Sequence, residues 1–216
     1  PATVTITVTG SNDAAVIGGD TSGSANETDA PVTITGALSI SDVDGDDLFV
    51  AQSNVTGTYG TFSIGTDGAW TYVAGAAYDE LPAGTSHEET FTVAAADGTT
   101  QAVTVTITGT NDLPVAVGAT PTTGENAILT GSVPAATDVD GTIASYTLVS
   151  DVTSGSLTFN ADGTYAFDPG AAFDDLAMGE TRQVSFTYTA TDNNTGISAP
   201  ATVTITVTGS NDAAVI

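Results

Sequence analysis

One strand ending is written three times in this chain. Val4 to Ile17 and Val203 to Ile216 both read VTITVTGSNDAAVI, and Val105 to Ala116 reads VTITGTNDLPVA. The shared glycines set the spacing: Gly10 to Gly109 is 99 residues and Gly109 to Gly209 is 100. Other landmarks keep nearly the same step. DVDG begins at Asp42 and Asp138, 96 apart; Asp-Gly recurs at Asp67 and Asp162, 95 apart; GAAYDEL at Gly75 answers GAAFDDL at Gly170, again 95 apart. A period near one hundred residues is that of one small domain, so the chain reads as two diverged copies in register and not as one large domain. Pro1 to Ile17 is identical to Pro200 to Ile216, as expected of a piece cut in phase from a longer run. The expected division is residues 1–10 as the last strand of a preceding repeat, 11–110 and 111–210 as two repeats, and 211–216 as the start of another.

Each copy reads as strands. Val4, Ile6 and Val8 share one parity and Thr5, Thr7 and Thr9 the other, which places branched apolar side chains on one face and hydroxyls on the opposite face. Val103, Val105 and Ile107 repeat the pattern, as do Val203, Ile205 and Val207. Shorter period-two runs occur at Val32 and Ile34, Trp70 and Tyr72, Phe91 to Ala95, Tyr165 and Phe167, and Phe186 and Tyr188. Glycine and Asp-Gly steps separate them, and no segment of helical length has a 3.6-residue period, although AAYDEL and AAFDDL each suit one helical turn. About seven short, half-buried strands per hundred residues predict an all-β chain of two tandem immunoglobulin-like Greek-key sandwiches.

Charge decides which partners suit such a chain. One Lys or Arg stands against 26 Asp and Glu, a formal charge of −25, while 40% of residues are apolar, enough to build cores. An acidic surface of this size repels nucleic-acid phosphates and anionic lipid, so neither is expected as a partner. No apolar run approaches a membrane-spanning length, and the absence of cysteine excludes disulfides and thiol nucleophiles.

The acids gather at expected strand ends. In the first copy they are Glu27, Asp42 and Asp44, Asp79 and Glu80, Asp97, then Asn111 and Asp112. The second copy has Glu125, Asp138 and Asp140, Asp174 and Asp175, Asp192, then Asn211 and Asp212; Asp13 precedes the first. Sandwich topology places the DVDG loop and the Asp97 or Asp192 loop at one end of a copy, with Glu27 and Asp79-Glu80 at the other. Glu27, Asp79, Glu80, Asn111, Asp112, Asp138, Asp140 and Asp192 are therefore expected at one junction. Carboxylates crowded this way repel strongly unless a cation lies among them. DVDG alone is equally a turn, since Asp and Gly favour turns anywhere. It is the addition of acids from two other loops and a linker that favours metal. Oxygen ligands without sulfur and with a single histidine suit Ca²⁺ better than zinc, while magnesium wants a tighter octahedron. An EF-hand is excluded, because Gly45 falls at loop position four and Ser53 stands where the bidentate Glu belongs.

DVDG, FDDLAMGE, FTYTATD and VTVTITGTNDLPV together resemble the VCBS and cadherin-like repeats of large bacterial RTX-type adhesins. AYDEL, then FTVAAAD, then TNDLP is also similar to the cadherin order of acidic turn, alternating strand and Asn-Asp linker. The resemblance implies calcium-stiffened extender modules of a secreted, surface-tethered fibre used in attachment or biofilm formation; the chain itself is expected to be monomeric. It implies Glu27, Asp79 and Glu80 as ligands from one repeat, Asn111 and Asp112 from the linker, and Asp138, Asp140 and Asp192 from the next. Gly109 stands where the cadherin linker has its first acid and Leu113 where it has a second Asn, so the ion count per junction is open.

Two other classes compete. A lectin-like module would use Ca²⁺ or an exposed aromatic such as Trp70, but the alternation that pairs Trp70 with Tyr72 predicts core packing. A glycosidase needs a facing carboxylate pair, whereas these acids recur as sets at domain ends with no positioned base, so an enzyme is not expected. His87, which aligns with Arg182, is expected at an exposed strand edge.

Overall fold

The computed structural model describes residues 1–43, 45 and 47–211. The chain divides into two units, Pro1–Thr110 and Asn111–Ile216. In the first, β1 (Val16–Gly19), β3 (Thr33–Ser41), β6 (Ala69–Ala74), β5 (Gly60–Ile64) and β4 (Gln52–Thr56) form one sheet in that order. β2 (Ser22–Asn26), β8 (Thr100–Thr108) and β7 (Ser86–Ala94) form the other. The chain crosses between sheets at Gly19, whose φ of 88° turns it from an antiparallel pairing with β3 to a parallel one with β8.

Alternation drives the packing. Val103, Val105 and Ile107 turn inward and are at most 2% exposed, with Thr104 and Thr106 on the opposite face. They meet Phe62, Trp70, Tyr72, Phe91 and Val93 in one core, each contributing about 1.5–3 kcal/mol by burial. Trp70 is 1% exposed, its Nε1–H donates to Asp20 O (2.9 Å), and its ring covers Gly36 opposite it on β3. It is core, as the alternation requires, and offers no sugar platform.

The second unit has β9 (Thr122–Gly124), β10 (Leu129–Ser132), β11 (Ile143–Ser150), β12 (Ser156–Phe159), β13 (Thr164–Asp168), β14 (Thr181–Asp192) and β15 (Ala201–Thr208). Its sheets run β10-β13-β12 and β11-β14-β15-β9, around Phe167, Phe173, Phe186, Tyr188, Val203, Ile205 and Val207. The expected helical turn forms here as a 3₁₀ turn at Gly170–Ala172. In the first unit the matching stretch is a hydrogen-bonded turn, Leu81 N–H to Tyr78 O (2.9 Å), with no helix among the described residues.

The units differ in one strand choice. β11 pairs with β14 from Ile143–Asp192 to Ser150–Thr187, whereas the backbone of its counterpart meets the end of β7 and the residues just past it at Leu48 to Val50 before β4 closes a hairpin with β5. Glu89 on β7 accepts the Tyr59 amide of that hairpin turn; the corresponding Val184 lies in the core at 4% exposure. His87, expected to be exposed, is instead half-buried. Its ring stacks on Tyr59 at 3.9 Å and meets the edge of Tyr78 at 5.2 Å, because β7 points positions 87, 89 and 91 to the same inward face.

Residues 1–15 form no strand, and Val4, Ile6 and Val8 are 82%, 82% and 88% exposed. Among the described residues, no helix is long and apolar enough to cross a membrane.

Candidate cation site

The repeated phrase Gly-(Thr/Ser)-Asn-Asp is anchored the same way in both units. β2 runs parallel to β8, so Glu27, just past β2, lies beside the chain leaving β8. The Thr110 N–H and hydroxyl both donate to Glu27 Oε1 at 2.8 and 2.5 Å, and Glu27 is 3% exposed. In the second unit β9 runs parallel to β15, and the Ser210 N–H and hydroxyl grip Glu125 Oε1 at 2.6 and 2.7 Å. Glu125 is 2% exposed, and its buried Oε2 accepts no hydrogen bond among the described residues. The preceding glycine lets backbone meet backbone: a Cβ on Gly109 would lie 2.2 Å from Leu81 O, and one on Gly209 2.4 Å from Ala177 O. Those carbonyls belong to the acidic turns, so the phrase binds the turn and the buried glutamate together. In the first turn, Asp79 is half-buried with Oδ1 accepting no hydrogen bond among the described residues, while Glu80 is exposed.

Within the second unit, the Asn-Asp pair is fastened to two loops. Asn111 Nδ2 donates to Asp192 Oδ2 (2.9 Å), and the Asp112 N–H donates to Asp140 Oδ1 (3.2 Å). The Asp140 N–H in turn donates to Asp138 Oδ1 (3.2 Å). Asp192 Oδ1 accepts the Asn194 and Gly196 amides at 2.7 and 2.8 Å. Asp140 is 8% and Asp192 2% exposed. With these bonds made, Asn111 Oδ1, Asp138 Oδ2 and Asp140 Oδ2 remain buried and accept none among the described residues. Unpaired buried oxygen is costly, and most of it here is carboxylate. The Asn111 amide, followed by the loop amides, holds the Asp192 carboxyl below the usual range. Burial, then hydrogen bonding with Asp140, pushes Asp138 up.

The remaining sequence candidates are less gathered. Asp97, the counterpart of Asp192, is lowered by the Thr99 hydroxyl first and then by the Ala15 amide. Asn12 donates to Asp13 O, Asp13 is exposed, and Asp42 is half-buried with its N–H on Asp47 Oδ1 (2.5 Å). Asp174 is exposed, and its neighbour Asp175 forms an ion pair with Arg182 (2.7 Å), which lies over the Phe173 ring at 5.6 Å. Asp44 and Asp212 fall outside the described residues. Thr110 and Ser210 were not among the sequence candidates; the signal for them was the hydroxyl residue between Gly and Asn in every copy.

The donor set consists of carboxylate, amide and hydroxyl oxygens, several of them buried without a proton donor. That chemistry fits a hard divalent cation of the calcium type and no softer metal. The first unit also has a cavity of about 470 Å³ between β4 and β7, lined by Val55, Thr58, Glu88, Glu89 and Phe91 among others. Glu88 and Glu89 are consecutive on one strand and point to opposite faces, so they cannot face each other across a substrate.

Residues 12–109 and again 111–209 match the bacterial cadherin-like domain. The chain belongs to that family. Cadherin-like domains generally bind calcium and form a non-enzymatic adhesive and structural fold. No curated protein sequence matches this one. Among solved structures it is similar to protocadherin gamma B2 extracellular cadherin domains 3–6, at 14% identity and a TM-score of 0.51, over 92% of this chain and 52% of that one. It is also similar to mouse clustered PcdhgC3 EC1–3, at 14% identity and a TM-score of 0.50, over 90% of this chain and 66% of that one. These likenesses show a shared cadherin fold. The chain spans about half the length of the protocadherin gamma B2 structure.

Proposed function

We propose that the two bacterial cadherin-like domains are calcium-stiffened extender repeats of a secreted bacterial surface adhesin, a strut for attachment or biofilm formation. The observation that carries this reading is the trio of buried oxygens on Asn111, Asp138 and Asp140 that accept no hydrogen bond among the described residues, Asn111 directly following the residue that holds Glu27. In this reading Glu27, Asp79 and Glu80 contribute ligands from the first domain, Asn111 and Asp112 from the linker, and Asp138, Asp140 and Asp192 from the second. Calcium supplies charge neutralisation. The protein supplies oxygens already fixed by backbone amides, so little side-chain freedom is lost on binding.

A linker as short as Asn111 to Pro114 hinges unless it is tied, and ligands on both sides of it tie it. Binding to the folded state at a hundredfold excess over Kd adds about 2.7 kcal/mol. Against the 5–15 kcal/mol typical of a domain, that is a large share. Melting with calcium and with chelator tests the reading. Asp112→Ala and Asp138→Ala are each expected to reduce the calcium-dependent rise in Tm; a full rise in both removes the proposed ligands.

A further inference from the structure

Two sheet edges line the cavity of the first domain. β7 ends the sheet β2-β8-β7, and β4 ends the sheet β1-β3-β6-β5-β4. The space of about 470 Å³ has Val55 to Thr58 on one side and Glu88 to Thr92 on the other. The β7 edge is taken only in part: the Val50 N–H donates to Ala94 O (2.8 Å), and Gln52 Nε2 donates to Thr92 O (3.1 Å). The next backbone groups on that side belong to Thr90 and Glu88. Their direction follows from β8, where the Thr104 N–H donates away from β7 to Thr21 O (3.0 Å). Thr90 lies directly opposite Thr104, with the two hydroxyls 3.2 Å apart. That is a non-hydrogen-bonded pair, so the N–H and C=O of Thr90, and of Glu88 two residues away, point out of the sheet. Among the described residues they make no hydrogen bond there. A free edge beside a groove of ligand size is a template for one more strand.

We propose that this groove binds an extended basic segment of a partner protein, added antiparallel to β7. The residues opposite Thr90 and Glu88 exchange both backbone hydrogen bonds with them and share their outer face. The residue between, opposite Glu89, turns into the groove towards Val55 and Phe91, a place that suits an apolar β-branched side chain. Charge selects the occupant. Glu88 is exposed on the edge, and the lining holds two glutamates and no cation. A strand from a second copy is disfavoured, since the one Lys or Arg of the chain, Arg182, is already paired with Asp175. A cation opposite Glu88 makes the favourable cross-strand pair, which gives Thr-Val-Arg, laid from Thr90 to Glu88, as the simplest segment. This inference does not rest on the calcium reading.

The probe is the acetylated, amidated peptide Arg-Val-Thr-Val-Arg-Val-Thr, added to the full chain at fixed ionic strength. Amide exchange followed by NMR is expected to slow several-fold at Glu88 and Thr90, while the amides of Glu89 and Phe91, which face β8, stay as they were. Methylating the backbone nitrogens of the third and fifth peptide residues removes the donors to Thr90 and Glu88, and is expected to weaken binding by about tenfold. Methylating those of the second and sixth keeps the same charge and the same donors to β7, and is expected to preserve binding. Glu88→Lys is expected to lose the preference for this peptide over a version with Glu in place of Arg. Equal binding of the two methylated peptides, the mark of attraction by charge alone, overturns the inference. So does unchanged exchange at Glu88 and Thr90 in the presence of bound peptide, or no binding up to millimolar peptide. Exchange at Glu88 and Thr90 that is already slow in the free chain equally overturns it, because β4 then fills the edge itself.

Discussion

At the scale of single residues, the acids work in two opposed directions. Asp97 and Asp192 are held below the usual carboxylate range by hydrogen bonds to the ionised form. Their stabilising contribution is present above the unfolded value, about 3.9, and is lost as pH falls through their lowered folded values. Asp138 is raised, so its contribution has the reverse sign: full below the unfolded value and lost as pH rises through the folded one. In chelator, therefore, Tm is expected to fall on acidification below about pH 4, and Asp192→Asn is expected to flatten that fall. Asp138→Asn is expected to raise the chelator Tm at neutral pH while shrinking the gain from calcium. A melting series from acid to neutral pH, with and without calcium, checks both. The acids were legible in the sequence because they recur at strand ends in both copies. Thr110 and Ser210 were not, since one hydroxyl among many carries no mark until its amide and side chain are seen on the same glutamate. His87 was misjudged for a related reason: parity assigns a face of a strand, but the Tyr59 that covers it arrives from a turn.

Among elements, the alternating strands were readable because half-burial imposes a period of two, and the burial of Val103, Val105 and Ile107 follows it. Which sheet a strand joins was not readable from its own alternation, and at this point the two domains differ in a side chain of another element. Glu89 accepts the Tyr59 amide and closes the β4–β5 hairpin, while Val184 fills the same place in the second domain's core. Glu89→Val combined with Tyr72→Phe, which reproduces Val184 and Phe167, is expected to speed amide exchange at Tyr59 by about tenfold or more, the loss of a bond to a charged group. Unchanged exchange at Tyr59 would show that Glu89 does not hold the hairpin. A packing contact between strands makes a second test. A Cβ on Gly36 would fall 2.3 Å from the Trp70 ring, so Gly36→Val is expected to destabilise the first domain by roughly 1–3 kcal/mol. Denaturant unfolding followed by Trp70 fluorescence measures it. Residues 1–10 mark where sequence reading stops: their alternation is that of β15, yet a strand is a relation between segments, and among the described residues they pair with none.

At the scale of the whole molecule, a charge of −25 on a chain with one Lys or Arg makes self-repulsion a permanent feature. Most of it is exposed and screened within about 8 Å at physiological salt, which keeps such a chain soluble without giving it rigidity. In the proposed reading, rigidity comes from calcium held by the oxygens around the Asn111-Asp112 linker. Ionic strength and calcium are thereby separable, because monovalent salt screens the surface and leaves the buried oxygens of Asn111, Asp138 and Asp140 as they are. Small-angle scattering of the same sample in chelator and then in saturating calcium, at fixed ionic strength, tests this most directly. The account predicts a longer maximum dimension and a narrower distance distribution with calcium, both lost in an Asp112→Ala/Asp138→Ala variant. Superimposable curves with and without the ion would contradict it.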